Sequence, residues 1–206
     1  MATHLYETIQ TFPAGIHIAD VNIIPVTATG GVQSPYTFHT EAQNFGGQSW
    51  QMSLNFLPQE RAAAGVLEAF MMSLNGTVGR FQMGDPYGSE PAGAGTGVPL
   101  VATAGIAGQQ TIDLKGFIPN TPGQLLKGDY IQIGTAFYRV LARVDSAGGG
   151  TATATLFPNL REAYAVDTAV IIRNPVAIWR MTSATAAFTR SRLQLYGATL
   201  QAREAL

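Results

Sequence analysis

The chain has three histidines and no cysteine, so thiolate chemistry and disulfides are excluded, and a metal or acid–base site would have to come from imidazoles and carboxylates. His4, His17 and His39 are far apart, with no spacing that suggests a metal triad. His39 and Glu41 share one face of an extended segment, but alternating polar residues are what any solvated strand offers. Gly93, Gly95 and Gly97 resemble part of a dinucleotide fingerprint, yet Val98 stands where its last glycine belongs and no strand leads into it. A linker is the expectation there. The glycine spacing over 123–129 is reminiscent of a phosphate loop, but Asp129 replaces the required lysine and would repel phosphate, so it is read as the start of a strand. The acid pairs Asp85 with Glu90 and Asp145 with Asp167 are read as turn residues, the usual use of Asp beside Gly or Pro. Trp50, Trp179, Tyr130, Phe137 and Tyr138 could form an aromatic platform for sugars, with Tyr130 and Tyr138 as glycan contacts. The same rings in short strands equally suit a core. Asn75-Gly76-Thr77 matches a glycosylation acceptor but is better read as a helix stop. No catalytic residue, cofactor or metal is therefore expected.

The elements that position these residues centre on 50–85, where the hydrophobic period changes twice. Trp50, Met52, Leu54 and Phe56 alternate with polar residues, as in a half-buried strand that Pro58 ends. Ala63, Val66, Leu67, Phe70, Met71 and Leu74 then fall at helical steps, and Asn75-Gly76 supplies a left-handed stop. Phe81 and Met83 belong to a second strand running to Gly84-Asp85-Pro86.

Composition narrows the function classes. Of 206 residues only 12% are charged, about half the usual share, while 46% are hydrophobic and there are 23 glycines and 11 prolines. The longest uncharged run, 91–112, is broken by Pro99 and glycines, so a membrane span is not expected, and burial of the surface against other subunits is. A net charge of −1 without a basic stripe argues against a nucleic-acid footprint. The opening residues show no basic segment followed by an apolar run, so folding in the cytoplasm is expected.

In chain order, 16–26 is an apolar stretch that Pro25 marks as an edge or bulged strand, Gly30-Gly31 turns the chain, 32–41 is a strand, and 44–47 is a second turn before the Trp50 strand. A Gly/Pro-rich linker with one short strand spans 85–111, and about five short strands from Leu125 to Ile172 make a small barrel. Residues 178–182 and 187–201 are strands, the second long and slipped in phase at Gly197 as at a bulge. These last strands are expected to return to the sheet of Trp50 and Phe81. The result is a mainly β, α+β chain: a discontinuous domain, 1–84 with 175–206, interrupted by an inserted β-barrel domain, 85–174.

The runs Leu126-Lys127-Gly128-Asp129-Tyr130-Ile131-Gln132-Ile133-Gly134, Phe137-Tyr138-Arg139-Val140, Leu156-Phe157-Pro158-Asn159-Leu160-Arg161 and Arg173-Asn174-Pro175 resemble tail proteins of long-tailed bacteriophages that infect Gram-negative bacteria. The overall plan is similar to their distal tail proteins. That resemblance implies a β-sandwich-like domain forming a homo-hexameric ring, which joins the tail tube protein to the tail hub protein and the receptor-binding apparatus. It also implies an inserted barrel of the oligosaccharide/oligonucleotide-binding type, and a place in the virion tail after assembly in the host cytoplasm. Alternatives are a tail-associated module that binds host-surface glycan, or another tail subunit such as a tube or hub component.

A closed ring uses a head-to-tail interface in which edge strands can pair across subunits. The expected edges are 16–26 and 187–201, with Ile16, Ile18, Val21, Ile23, Leu193, Leu195 and Leu200 as interface residues.

Overall fold

A computed structural model describes residues 4–184, 188–190 and 196–206. The chain is mainly β with a single α-helix among the described residues. Two compact units divide it: Met1–Phe12 with Gly79–Trp179, and Pro13–Val78 with Arg180–Leu206.

In the second of these units, β2 (Ile18–Gln33) and β3 (Thr40–Phe56) pair antiparallel along nearly their whole length. The chain reverses at neither of the turns expected at Gly30-Gly31 and 44–47; at 44–47 β3 instead bulges, with 45–47 opposite Ala28 and the Asn44 side chain accepting the Gly46 N–H at 2.8 Å. Gly30 pairs with Gln43, Gly31 with Ala42 and Thr29 with Asn44, all inside the ladder. These glycines relieve crowding: a Cβ on Gly30 would lie 2.8 Å from the Phe45 ring, and one on Gly47 would lie 3.0 Å from Ala28 Cβ. The chain reverses instead at 34–39. There Ser34 N–H donates to His39 O, Phe38 N–H donates to Ser34 O, and the Ser34 hydroxyl accepts from Tyr36 and Thr37 N–H. Tyr36 and Phe38 thus belong to the turn and not to a strand.

The base of β3 is core, with Trp50, Met52, Leu54 and Phe56 all buried. β13 (Tyr196–Glu204) pairs with β3 over 199–203, placing Leu200 opposite Leu54 and Ala202 opposite Met52. β12 (Phe188–Arg190) pairs antiparallel with β13, with Thr189 opposite Gly197. The single long strand expected over 187–201 is therefore two strands that pair with each other, and Gly197 stands in register instead of at a bulge. Glu204 is buried, and its carboxylate accepts the Trp50 N–H at 3.1 Å, beyond the last β13–β3 pair.

The helix α1 (Arg61–Ser73) buries Ala64, Leu67, Phe70 and Met71, and Leu74 at its C-cap is fully buried. Val66 is half exposed, a correction to the expected apolar face; the packed stripe is narrower and runs through Ala64. Asn75 and Gly76 take φ of +50° and +65°, which ends the helix as their types require.

In the other unit β1 (Ile9–Thr11) runs parallel to β4 (Arg80–Met83), and β11 (Ala177–Met181), of which 177–179 belong to this unit, runs antiparallel to β4, with Trp179 opposite Phe81 and Ala177 opposite Met83. The Trp179 indole donates to Met83 O at 2.8 Å. Between β4 and β11 lies a six-stranded, nearly closed barrel of β5 (Leu100–Val101), β6 (Thr111–Lys115), β7 (Tyr130–Ile133), β8 (Ala136–Val140), β9 (Ala152–Phe157) and β10 (Val170–Ile171). Its order is β10-β7-β8-β9-β6-β5. Hydrogen bonds from Val101 to Thr168 and from Val170 to Pro99 bring the two ends together. Inside it pack Ile112, Leu114, Leu125, Ile131, Tyr138, Val140 and Leu156.

Residues 85–99 are tied down, contrary to a mobile linker. Ala94 and Gly95 N–H donate to Gly123 and Gln124 carbonyls at 2.8 and 2.7 Å. Gly93 and Gly95 permit this approach, since added Cβ atoms would meet the Gln124 carbonyl at 2.4 and 2.6 Å. Asp129 is buried and its carboxylate accepts from Ala92, Gly93 and Leu126 N–H, so it fastens this segment to the barrel. At the far end Asn174 N–H donates to Ser89 O, Arg173 pairs with Glu90, and Gly84 lies directly against the Pro175 carbonyl.

Candidate functional site

The residues singled out for chemistry hold structural places. His17 engages the buried Gln59 through its backbone, whose carbonyl accepts from the amide at 2.7 Å. His4 stacks on Tyr6, and His39 is exposed in the β2–β3 turn. Among the described residues no group of three His, Asp or Glu is arranged to hold a metal. Asp85 accepts the Tyr87 N–H as a turn residue. Asp145 accepts Gly123 N–H and pairs with Arg143, and these two hydrogen bonds hold its carboxyl below the usual range. Asp167 pairs with Lys115 at 2.6 Å. The two acid pairs thus serve separate turns.

The aromatic platform is not formed. Trp50, Trp179, Phe137 and Tyr138 are at most 1% exposed, and Tyr130 is 7% exposed. Tyr138 shares a 2.8 Å hydrogen bond with Tyr164 and accepts the Arg161 N–H at 2.9 Å, which satisfies its hydroxyl inside the barrel. Burial followed by the Tyr138 hydrogen bond pushes the Tyr164 phenol well above its ordinary range. Tyr130 stacks on Phe137 with Arg139 over its ring, and burial raises its phenol too. Tyr130 and Tyr138 therefore present no open ring face for a sugar.

The surface with unmet physical demands is the β2–β3 hairpin. Along β2, Ile18, Val21 and Ile23 lie opposite Phe56, Leu54 and Met52, with a register shift between Ile18 and Asp20 keeping the apolar residues in phase. They continue the core row of β3, but are only half-buried because β2 pairs with β3 alone among the described strands. Its outer edge is the unpaired one, with Pro25 opposite Trp50. Ile16 precedes β2 and is also half-buried. Leu200, by contrast, is 1% exposed and paired on β13, so it belongs to the core and not to an edge. Leu193 and Leu195 lie outside the described residues.

Beyond Val26 the hairpin becomes a two-stranded ribbon almost wholly in solvent. It carries Val32, Tyr36, Phe38 and Phe45 at 77, 91, 73 and 64% exposure, with Glu41 the only carboxylate over 30–48. Phe45 folds across Gly30 beside a shallow cleft lined by Gly31, Val32 and Ala42. Phe38 holds φ of +56°, a strained conformation for a bulky residue. A lone two-stranded ribbon is marginal in water, and its exposed apolar side chains gain free energy only when something covers them. Sequence alternation missed this surface because its glycines read as turns.

No known protein family matches this chain, and no curated protein matches it either.

Proposed function

We propose that this chain is a structural subunit of a bacteriophage tail tip, a distal tail protein assembled as a homo-hexameric ring between the tail tube and the hub with its receptor-binding apparatus. The observation that carries the reading is the β2–β3 ribbon, with four large apolar side chains in solvent beside a β2 edge that no other described strand pairs. Those features suit a subunit whose surface is completed by its neighbours, and the scarcity of charge over the whole chain points the same way. The runs over 126–175 that resemble phage tail proteins supply the context. A module that binds host glycan through Tyr130 and Tyr138 has no support, because both rings are buried. On this reading the protein works in the virion tail after assembly in the host cytoplasm.

Electron-microscopy class averages of the purified protein over a concentration series, with mass measured in solution, test the proposal. Six-fold rings with a central channel are expected. A monomer that stays monomeric at high concentration, and that also fails to add to purified tail tubes, overturns it.

A further inference from the structure

The β2–β3 ribbon carries both halves of a contact. Val32 lies opposite Glu41 and Gly30 opposite Gln43, so the alternation of strand side chains puts these four positions on one face of the ribbon. Phe45 belongs to the same face, because a Cβ on Gly30 would lie 2.8 Å from its ring. The glycine leaves the floor open, and Val32, Glu41 and Phe45 wall a cleft of about 360 Å³. The Glu41 carboxylate makes no ion pair among the described residues. At the turn of the same ribbon Tyr36 is 91% exposed. The backbone donors around it are already used: Ser34 N–H is given to His39 O, Phe38 N–H to Ser34 O, and Tyr36 and Thr37 N–H to the Ser34 hydroxyl, while Pro35 has none. Such a turn leaves water without stranding those donors. A buried tyrosine still needs a partner for its hydroxyl, and a carboxylate is a strong one.

We infer that this cleft receives Tyr36 of a second copy of the chain, with the ring between Val32 and Phe45 and the hydroxyl donating to Glu41. The rings of Tyr36, Phe38 and Phe45 together expose about 450 Å² at ~200 Å² each, more than half of the ~800 Å² that one side of a stable interface buries. Glu41 is the only Asp, Glu, Lys or Arg between Asp20 and Glu60. A strongly charged partner therefore finds nothing to pair with along the ribbon, whereas another copy brings both the apolar area and the phenol that Glu41 lacks. Knob and cleft are different surfaces of one ribbon, which allows the contact to repeat head to tail as a ring requires. The pairing rests on the reading above that copies of this chain assemble through the ribbon.

The test is sedimentation velocity on the full chain, with Y36S lacking the knob, F45A lacking a wall of the cleft, and the two variants mixed in equal amounts. Each variant alone should associate more weakly than the parent chain by about tenfold or more. The mixture should form a one-to-one pair at close to the parent affinity, since one copy then supplies the knob and the other the cleft. Y36F and E41A combined should weaken association no more than either does alone. Val32 is 77% exposed, so V32S replaces F45A if that variant does not fold. A complementing mixture together with a parent oligomer that is not six-fold refutes the ring and leaves the pairing standing. A mixture no tighter than either variant alone, additive losses for Y36F and E41A, or a parent chain that remains monomeric overturns the inference.

Discussion

Replacing Tyr36 and Phe38 together by serine separates the role of the ribbon in assembly from any role in the fold. The two rings are 91 and 73% exposed and stand in the turn, away in sequence from the buried residues of β3 that begin at Trp50. Surface changes of this kind usually alter stability by no more than about 0.5 kcal/mol. Thermal unfolding of the isolated subunit should therefore be unchanged within about 2 °C. Assembly should respond differently. An aromatic side chain carries about 150–250 Å², so at these exposures the pair presents about 330 Å². Full burial of that area has an upper bound of about 8 kcal/mol at ~25 cal/mol/Å². Ordering and polar desolvation offset much of this, leaving an expected loss of about 2–4 kcal/mol per subunit contact. That is a weakening of about thirtyfold or more. Sedimentation velocity over a dilution series reads the shift, with the exposed V66S variant on α1 as the control. If the double variant assembles at the same concentration as the parent chain, the ribbon does not carry the contact.

Three other perturbations probe the barrel and its approach. G93A or G95A should lower stability by about 1–3 kcal/mol or more, because the added methyl meets the Gln124 carbonyl at 2.4 or 2.6 Å and backbone must shift; thermal denaturation gives the value, and unchanged melting would mean the segment is not held there. D129A removes the acceptor for the Ala92, Gly93 and Leu126 N–H groups. It should cost about 2–4 kcal/mol and raise amide exchange at Ala92 and Gly93 selectively. The Tyr164 phenol is raised in the folded state, so above pH ~10 the unfolded chain sheds a proton that the folded chain keeps. Its contribution is full below that pH and fades above it at up to about 1.4 kcal/mol per pH unit; Y164F should flatten this alkaline loss, and an identical slope in denaturant melts would exclude Tyr164 as its source.

The sequence was most legible where one side chain per repeat is buried. Trp50, Met52, Leu54 and Phe56 announce β3 by alternation, and Asn75-Gly76 announce the end of α1 through the backbone angles their types favour. Asp129 was placed correctly at the start of a strand, although its acceptor role depends on residues 36 and 37 positions away. Legibility failed at glycine, whose meaning depends on its neighbours in space. Gly30 makes room for the Phe45 ring and Gly93 for a carbonyl, yet each looks like a turn or linker residue in the sequence. Periodicity also missed the β12–β13 pairing, because two strands that fold back on each other carry the same composition as one long strand. Strand pairing also gathers residues far apart in sequence: Arg180 and Arg203 are 23 positions apart yet line one cleft. No local spacing rule joins them.

The contact of Gly84 with the Pro175 carbonyl has a meaning beyond packing. Met83 and Ala177 are ladder partners, so the two ends of the intervening chain are about 5 Å apart. From the standpoint of β4 and β11, the barrel is a cassette hung from a closed clasp. A two-residue hairpin turn spans the same gap, so the pairing of Phe81 with Trp179 does not require any particular cargo in between. Recombination at that clasp can exchange one intervening module for another of different size or chemistry while the strands that hold it keep their register.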